Sequence, residues 1–175
     1  MVAIAKEFSL FLIFDEIYEH IIYNNASTAP MAKVIGKVPG ISLKGISKEV
    51  PWPGARCGWA EYYNRDQDTD FNKLCQTIDN AKMIEVSSTR LPQRAIPKIM
   101  TDPRYDPFLK STSRAIGQRS KKLYDFFAEI PYVNFNLTNG AFYNTIIFKT
   151  GALKSKQQLN ITDPKTAQLL ENWLT

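Results

Sequence analysis

Four residues of this chain have side chains that could together hold and work on an anionic ring compound: Asp15, Tyr18, Lys48 and Arg56. Lys48 lies in the run Ser47-Lys48-Glu49-Val50-Pro51-Trp52-Pro53-Gly54-Ala55-Arg56-Cys57-Gly58, after an apolar segment and eight residues before Arg56. A lysine is the cation that sheds its proton most readily on burial, and the free amine attacks a carbonyl. An arginine keeps its charge and offers a planar fork that grips a dianion. A carboxylate can hold a proton on a ring nitrogen, and a phenol can donate to a ring oxygen. Each residue also has a plainer role open to it. Lys48 could be solvated, Asp15 could close a strand, Tyr18 could be core and Arg56 could sit in a surface ion pair.

Other chemistry has less to draw on. His20 is the only histidine, so any Cys-His or Ser-His device would need it. Its place two residues past Tyr18 predicts packing near the site and no role as a base. Lys44 reads as exposed, with a charge that could help lower the affinity of Lys48 for its proton. Trp52 and Trp59 read as packing residues.

The elements that must position these groups follow from the apolar pattern. Leu10 to Phe14 is short and continuously apolar, which suits a strand covered on both faces in a parallel sheet. Asp15 to Tyr18 would then stand at its carboxyl end, where open α/β sheets bind ligands. The segment 24–30 is polar and reads as a loop. Val38 to Ser47 predicts a second strand, Pro51 to Gly54 a turn, and Arg56 to Tyr63 a third strand antiparallel to the second. Helical spacing predicts helices over 68–85 and 107–128, and Met1 to Phe8 reads as the end of an amphipathic helix. Val133 to Leu137 and Ala141 to Phe148 predict a strand pair around Asn139-Gly140, and Asp163-Pro164 opens a last helix over 165–174.

Composition excludes several classes. With 175 residues and 44% hydrophobic content the chain can bury a core, and the net charge of +5 is spread along it. A nucleic-acid partner is not expected. Two cysteines give neither a metal spacing nor a disulfide framework, and no apolar run spans a bilayer, so a reduced, cytoplasmic, membrane-free setting is expected.

From about Met1 to Phe148 the chain resembles the class I/II aminotransferases, which are fold-type I pyridoxal-phosphate enzymes. Asp15-Glu16-Ile17-Tyr18 is similar to the family's Asp-x-x-Tyr. Ser47-Lys48, the Pro/Gly turn and Arg56-Cys57-Gly58 are similar to its Ser-Lys and Gly-x-Arg-x-Gly motifs. Gln93 and Gly140-Ala141-Phe142-Tyr143 resemble later landmarks. The resemblance implies an α/β fold, part of a three-layer sandwich. Residues 1–100 would form part of the large cofactor-binding domain. Residues 101–175 would hold the interdomain helix and part of the small carboxyl-terminal domain. It implies pyridoxal 5'-phosphate as cofactor. Lys48 would be the covalent anchor and proton carrier, Arg56 the phosphate ligand, Asp15 the partner of the ring nitrogen and Tyr18 the partner of the ring oxygen. Substrates would be an amino acid and a 2-oxo acid, and the full-length form would be a homodimer.

The chain also departs from the family. The asparagine motif, the stacking aromatic and the substrate-carboxylate arginine have no counterpart here, and Gly45 stands where many members have a phosphate-binding serine. The expectation is therefore a central-to-carboxyl-terminal piece that is inactive alone. A C–S lyase or decarboxylase on the same scaffold remains open, as does a non-catalytic decayed or split-gene fragment whose sheet edge binds a partner chain.

Overall fold

The computed structural model describes residues 1–149, so the helix expected at 165–174 lies outside the described residues. Three strands form the sheet that carries the site, in the order β1 (Leu12–Asp15), β2 (Gly40–Gly45), β3 (Gly58–Tyr63). β1 and β2 run parallel, with Leu12 opposite Gly40 and Asp15 opposite Leu43. β2 and β3 run antiparallel, from Gly40 opposite Tyr63 to Gly45 opposite Gly58. The antiparallel third strand is as expected.

One face of the sheet packs on α1 (Val2–Glu7) and α2 (Met31–Val34). Leu12 and Phe14 meet Ala5, Met31, Ile35 and Val38 there. Each large aliphatic side chain in that cluster contributes roughly 2 kcal/mol by leaving water. The other face carries Ile41, which packs on Phe71 and Cys75 of α3 (Thr69–Met83). Asp68 caps α3 by accepting a 2.7 Å bond from Phe71 N. β1 is not covered on both faces as its apolar run suggested. Among the described residues Ile13 is 58% exposed, and Leu43, on β2 opposite Asp15, is also open. An apolar run shows that burial is favourable and cannot name the segment that supplies it.

α4 (Arg90–Met100) was not among the predicted helices, and it contains Pro92 and Pro97. Pro92 is in the first turn, where no N–H partner is needed; Pro97 is interior and withholds an N–H from the Gln93 carbonyl, while its own carbonyl accepts from the Thr101 amide and hydroxyl at the helix end. α5 (Tyr105–Ala128) starts ahead of Pro107, which is tolerated in the first turn for the same reason.

The last strand pair is shorter than expected: β4 (Val133–Phe135) with β5 (Ile146–Phe148). Asn139-Gly140 is not their hairpin turn. Tyr23 N donates to Asn139 O at 2.9 Å and Ala141 N to Ile21 O at 2.8 Å, so the long connection is drawn onto the segment after β1. Gly117 of α5 makes room for this, since a Cβ there would run into the Tyr23 ring.

Candidate functional site

β1 delivers Asp15 at its carboxyl end, and Glu16 N donates to Leu43 O at 2.9 Å to extend the parallel pairing one step further. A turn follows, held by Ile21 N to Tyr18 O at 3.0 Å, and it presents Tyr18. β2 ends at Gly45, two residues before the expected limit. Lys48 therefore stands on a bend, not on a strand end. Buried Ile46 anchors the bend, and Trp52 N closes it on Ile46 O at 3.2 Å. A short 3-10 turn, Pro53–Ala55, leads to Arg56, whose φ of 48° and ψ of 44° are left-handed. That conformation keeps Arg56 out of the strand predicted to include it. It costs a non-glycine residue energy and is concentrated at functional positions.

Asp15, Tyr18, Lys48 and Arg56 line one open cleft of about 510 Å³, together with Ser47 and Tyr143. Among the described residues neither Lys48 Nζ nor the Arg56 guanidinium is in an ion pair. Two uncompensated cations on one wall favour an anion in the cleft. Asp15 Oδ1 accepts from Ile17 N at 3.2 Å. That bond fixes the carboxylate at the cleft's edge.

Two aromatic residues given little weight in the sequence complete the wall. Tyr18 donates to the Tyr143 hydroxyl at 2.7 Å and packs edge-on against Phe142. Lys48 Nζ lies 5.9 Å from the Tyr18 ring and 5.5 Å from that of Phe142. Burial, the bond to Tyr143 and the nearby Asp15 carboxylate push the Tyr18 hydroxyl up to about 12. Tyr18 is thus a donor at neutral pH. The signal for Phe142 and Tyr143 was the Gly-Ala-Phe-Tyr run, but its route back to β1 depends on the pairing of Gly140 with Ile22.

Lys44 is not the exposed residue that its sequence position suggested. Only 18% of its side chain meets solvent, and Nζ donates to Glu19 at 2.6 Å with Glu16 at 3.5 Å and Glu61 at 4.0 Å. Burial works against its charge, yet Glu19, Glu61 and Glu16 outweigh burial and hold the ammonium up at about 12. Its charge is spent on these carboxylates. Gly45 is tightly placed as well, since a Cβ would stand 3.0 Å from Ile17 Cδ1 and 3.1 Å from Cys57 O. A serine there would require the Ile17 side chain and the start of β3 to give by a few tenths of an ångström. His20 packs beside the site as expected, with Nδ1 2.8 Å from Glu49. Trp59 is bonded through Nε1 to Glu61 at 3.0 Å.

A mixed parallel-antiparallel sheet thus brings a carboxylate at the end of β1, and a phenol, an amine and a guanidinium on the segments that follow its strands, to one cleft. The family model for aminotransferase class I and II matches residues 1–171, and the chain belongs to that family. An uncharacterized aminotransferase of Methanocaldococcus jannaschii is 43% identical over 172 residues, which cover 98% of this chain and 40% of that protein. A tyrosine aminotransferase of Caenorhabditis elegans is 31% identical over 148 residues, 82% of this chain and 30% of the relative. Among solved structures, the alanine aminotransferase of Pyrococcus furiosus superposes with a TM-score of 0.77 at 24% identity, over 87% of this chain and 38% of that one. The fold is thus that of the fold-type I aminotransferases. The chain spans about 40% of the length of the M. jannaschii relative and less of the C. elegans one.

Proposed function

We propose that this chain carries the lysine-bearing part of the site of a pyridoxal-phosphate-dependent aminotransferase, acting on an amino acid and a 2-oxo acid. The observation that carries the proposal is that Lys48, Arg56, Asp15 and Tyr18 line one cleft at the carboxyl ends of parallel strands. The donor set fits the cofactor's four polar features. Lys48 would hold the aldehyde, Arg56 the phosphate, Asp15 the ring nitrogen and Tyr18 the ring oxygen. When bound, the cofactor supplies an electron-withdrawing ring conjugated to a carbonyl.

This chain's residues have the rest of the work. Lys48 Nζ takes up and releases a proton at the reacting end, in a wall made partly apolar by Phe142. Asp15 would hold a proton on the ring nitrogen by its charge. Tyr18, protonated at neutral pH, would give the ring oxygen the proton that it donates here to Tyr143. Arg56 would anchor the phosphate dianion. The M. jannaschii relative's name and the C. elegans enzyme's substrate set the direction, but the amino acid used here is left to assay. In this proposal residues 1–100 belong to the large cofactor-binding domain and 101–175 to the interdomain helix and small domain. The full-length form is a cytoplasmic homodimer. No helix among the described residues is long and apolar enough to cross a membrane.

The test is chemical capture. The 175-residue chain is mixed with pyridoxal phosphate, reduced with borohydride, digested and mapped by mass. The label is expected on Lys48, to be absent in Lys48→Ala, and to lose its preference for pyridoxal phosphate over phosphate-free pyridoxal in Arg56→Ala. Labelling spread over surface lysines, with Lys48 unmodified, would overturn the proposal.

A further inference from the structure

We propose that Glu49 is a positioning residue: through His20 it latches the bend that carries Lys48 onto the turn that carries Tyr18. It thereby sets the direction in which Lys48 Nζ enters the cleft. This rests on Lys48 being the covalent anchor, as proposed above.

The bend between β2 and the turn at Pro53 has few ties to the rest of the molecule. Its backbone bonds, Ile46 N to Cys57 O at 3.4 Å and Trp52 N to Ile46 O at 3.2 Å, close it on itself and its own hairpin. Glu49 reaches out of it. One carboxylate oxygen accepts the His20 backbone amide at 2.6 Å and the other lies 2.8 Å from His20 Nδ1. Both oxygens are thus spent on one residue, and the glutamate is only 7% exposed. A buried carboxylate is costly unless bonded, so this geometry is held firmly. Glu49 adjoins Lys48, and His20 is two residues past Tyr18. The Glu49–His20 contact is therefore the polar tie between the two chain segments that meet across the cleft.

The groups around the latch favour the same arrangement. Glu19 faces His20 from its own turn, Lys44 faces it from β2, and Tyr105 faces Glu49 from the start of α5. The bond to Glu49, followed by the charges of Glu49 and Glu19, raises the imidazole above its ordinary value, against burial and Lys44. Protonated His20 donates from Nδ1, and neutral His20 can still do so in the matching tautomer. The latch therefore stays closed through neutral pH.

Two measurements on the 175-residue chain test it. His20 is the sole histidine, so its imidazole signal in an NMR titration needs no assignment. It should titrate above the ordinary value of about 6.5 and return to it in Glu49→Gln. Borohydride capture of pyridoxal phosphate on Lys48 should slow about tenfold in Glu49→Ala and recover to within about threefold in Glu49→Gln, which keeps length and bonding capacity. If Glu49→Ala does not fold, His20→Ala takes its place. Its half-exposed ring can be lost without a cavity, and an about threefold loss is expected because the backbone bond remains. Capture on Lys48 unchanged in Glu49→Ala, or in His20→Ala as its substitute, overturns the latch, as does a wild-type His20 that titrates at the ordinary value. A wild-type chain unlabelled at Lys48 overturns the functional proposal, and the positioning role with it, even where His20 titrates high.

Discussion

Lys44 and Lys48 are four positions apart and carry the same side chain, yet their surroundings give them opposite chemistry. Three carboxylates hold Lys44 charged, whereas Lys48 faces rings and an open cleft. Capture at about pH 8 should accordingly modify Lys48 and leave Lys44 bare. Lys44→Ala should keep the label but leave Glu16 and Glu19 without their cation, at a cost on the order of 2 kcal/mol in urea denaturation. His20 gives a pH signature. Its value in the folded chain lies above that of the unfolded chain, so its pairing with Glu49 adds stability in full below about pH 6.5. That increment fades as pH rises through the folded value. Thermal unfolding followed from about pH 5 to 8 should show this fade in the wild type and lose it in Glu49→Gln. That Asp15, Tyr18, Lys48 and Arg56 belong together was legible from their types and order, and the fold brings them to one cleft. The roles of Lys44 and Glu49 were not legible, since each is decided by partners 25 to 29 residues away.

At the scale of elements, the sheet was readable and the site's back wall was not. β1, β2 and β3 each fell within two residues of the limits set by apolar runs and Pro/Gly turns. α4 was not predicted, and its interior holds Pro97, a residue type that ordinarily ends a helix. The connection between β4 and β5 escaped notice because a tempting Asn-Gly pair is used for a long-range contact. That contact is testable. Tyr23 bonds through its hydroxyl to Thr138 at 2.8 Å and Gly140 O at 3.1 Å. Tyr23→Phe should leave the sheet intact yet speed amide exchange over residues 138–143, with loosened packing of Phe142 and Tyr143 on Tyr18. Unchanged exchange there would mean the backbone bonds at Asn139 and Ala141 suffice. Asp68→Ala should cost about 1 kcal/mol through the lost α3 cap, without affecting capture at Lys48.

At the scale of the whole molecule, β1 pairs on one side only among the described residues. Leu12 N and Glu16 N point to β2, so the amide of Ile13 points the other way, beside an exposed apolar side chain. An open edge of this kind recruits other strands. Ile13→Pro removes that outward donor and spares the ladder to β2, so it should reduce concentration-dependent association in sedimentation velocity while circular dichroism holds. The contact of Tyr18 with Tyr143 also orders events in time. It joins residues 125 apart in the chain, and Ser113 reaches Ile22 O over 91. Closing such loops is slow, and local pairings such as β2 with β3 form ahead of them. The wall behind Lys48 is thus a late product of folding, absent until the ribosome has released residue 143. Substitutions at Tyr143 should therefore hasten unfolding several-fold and leave the refolding rate nearly untouched.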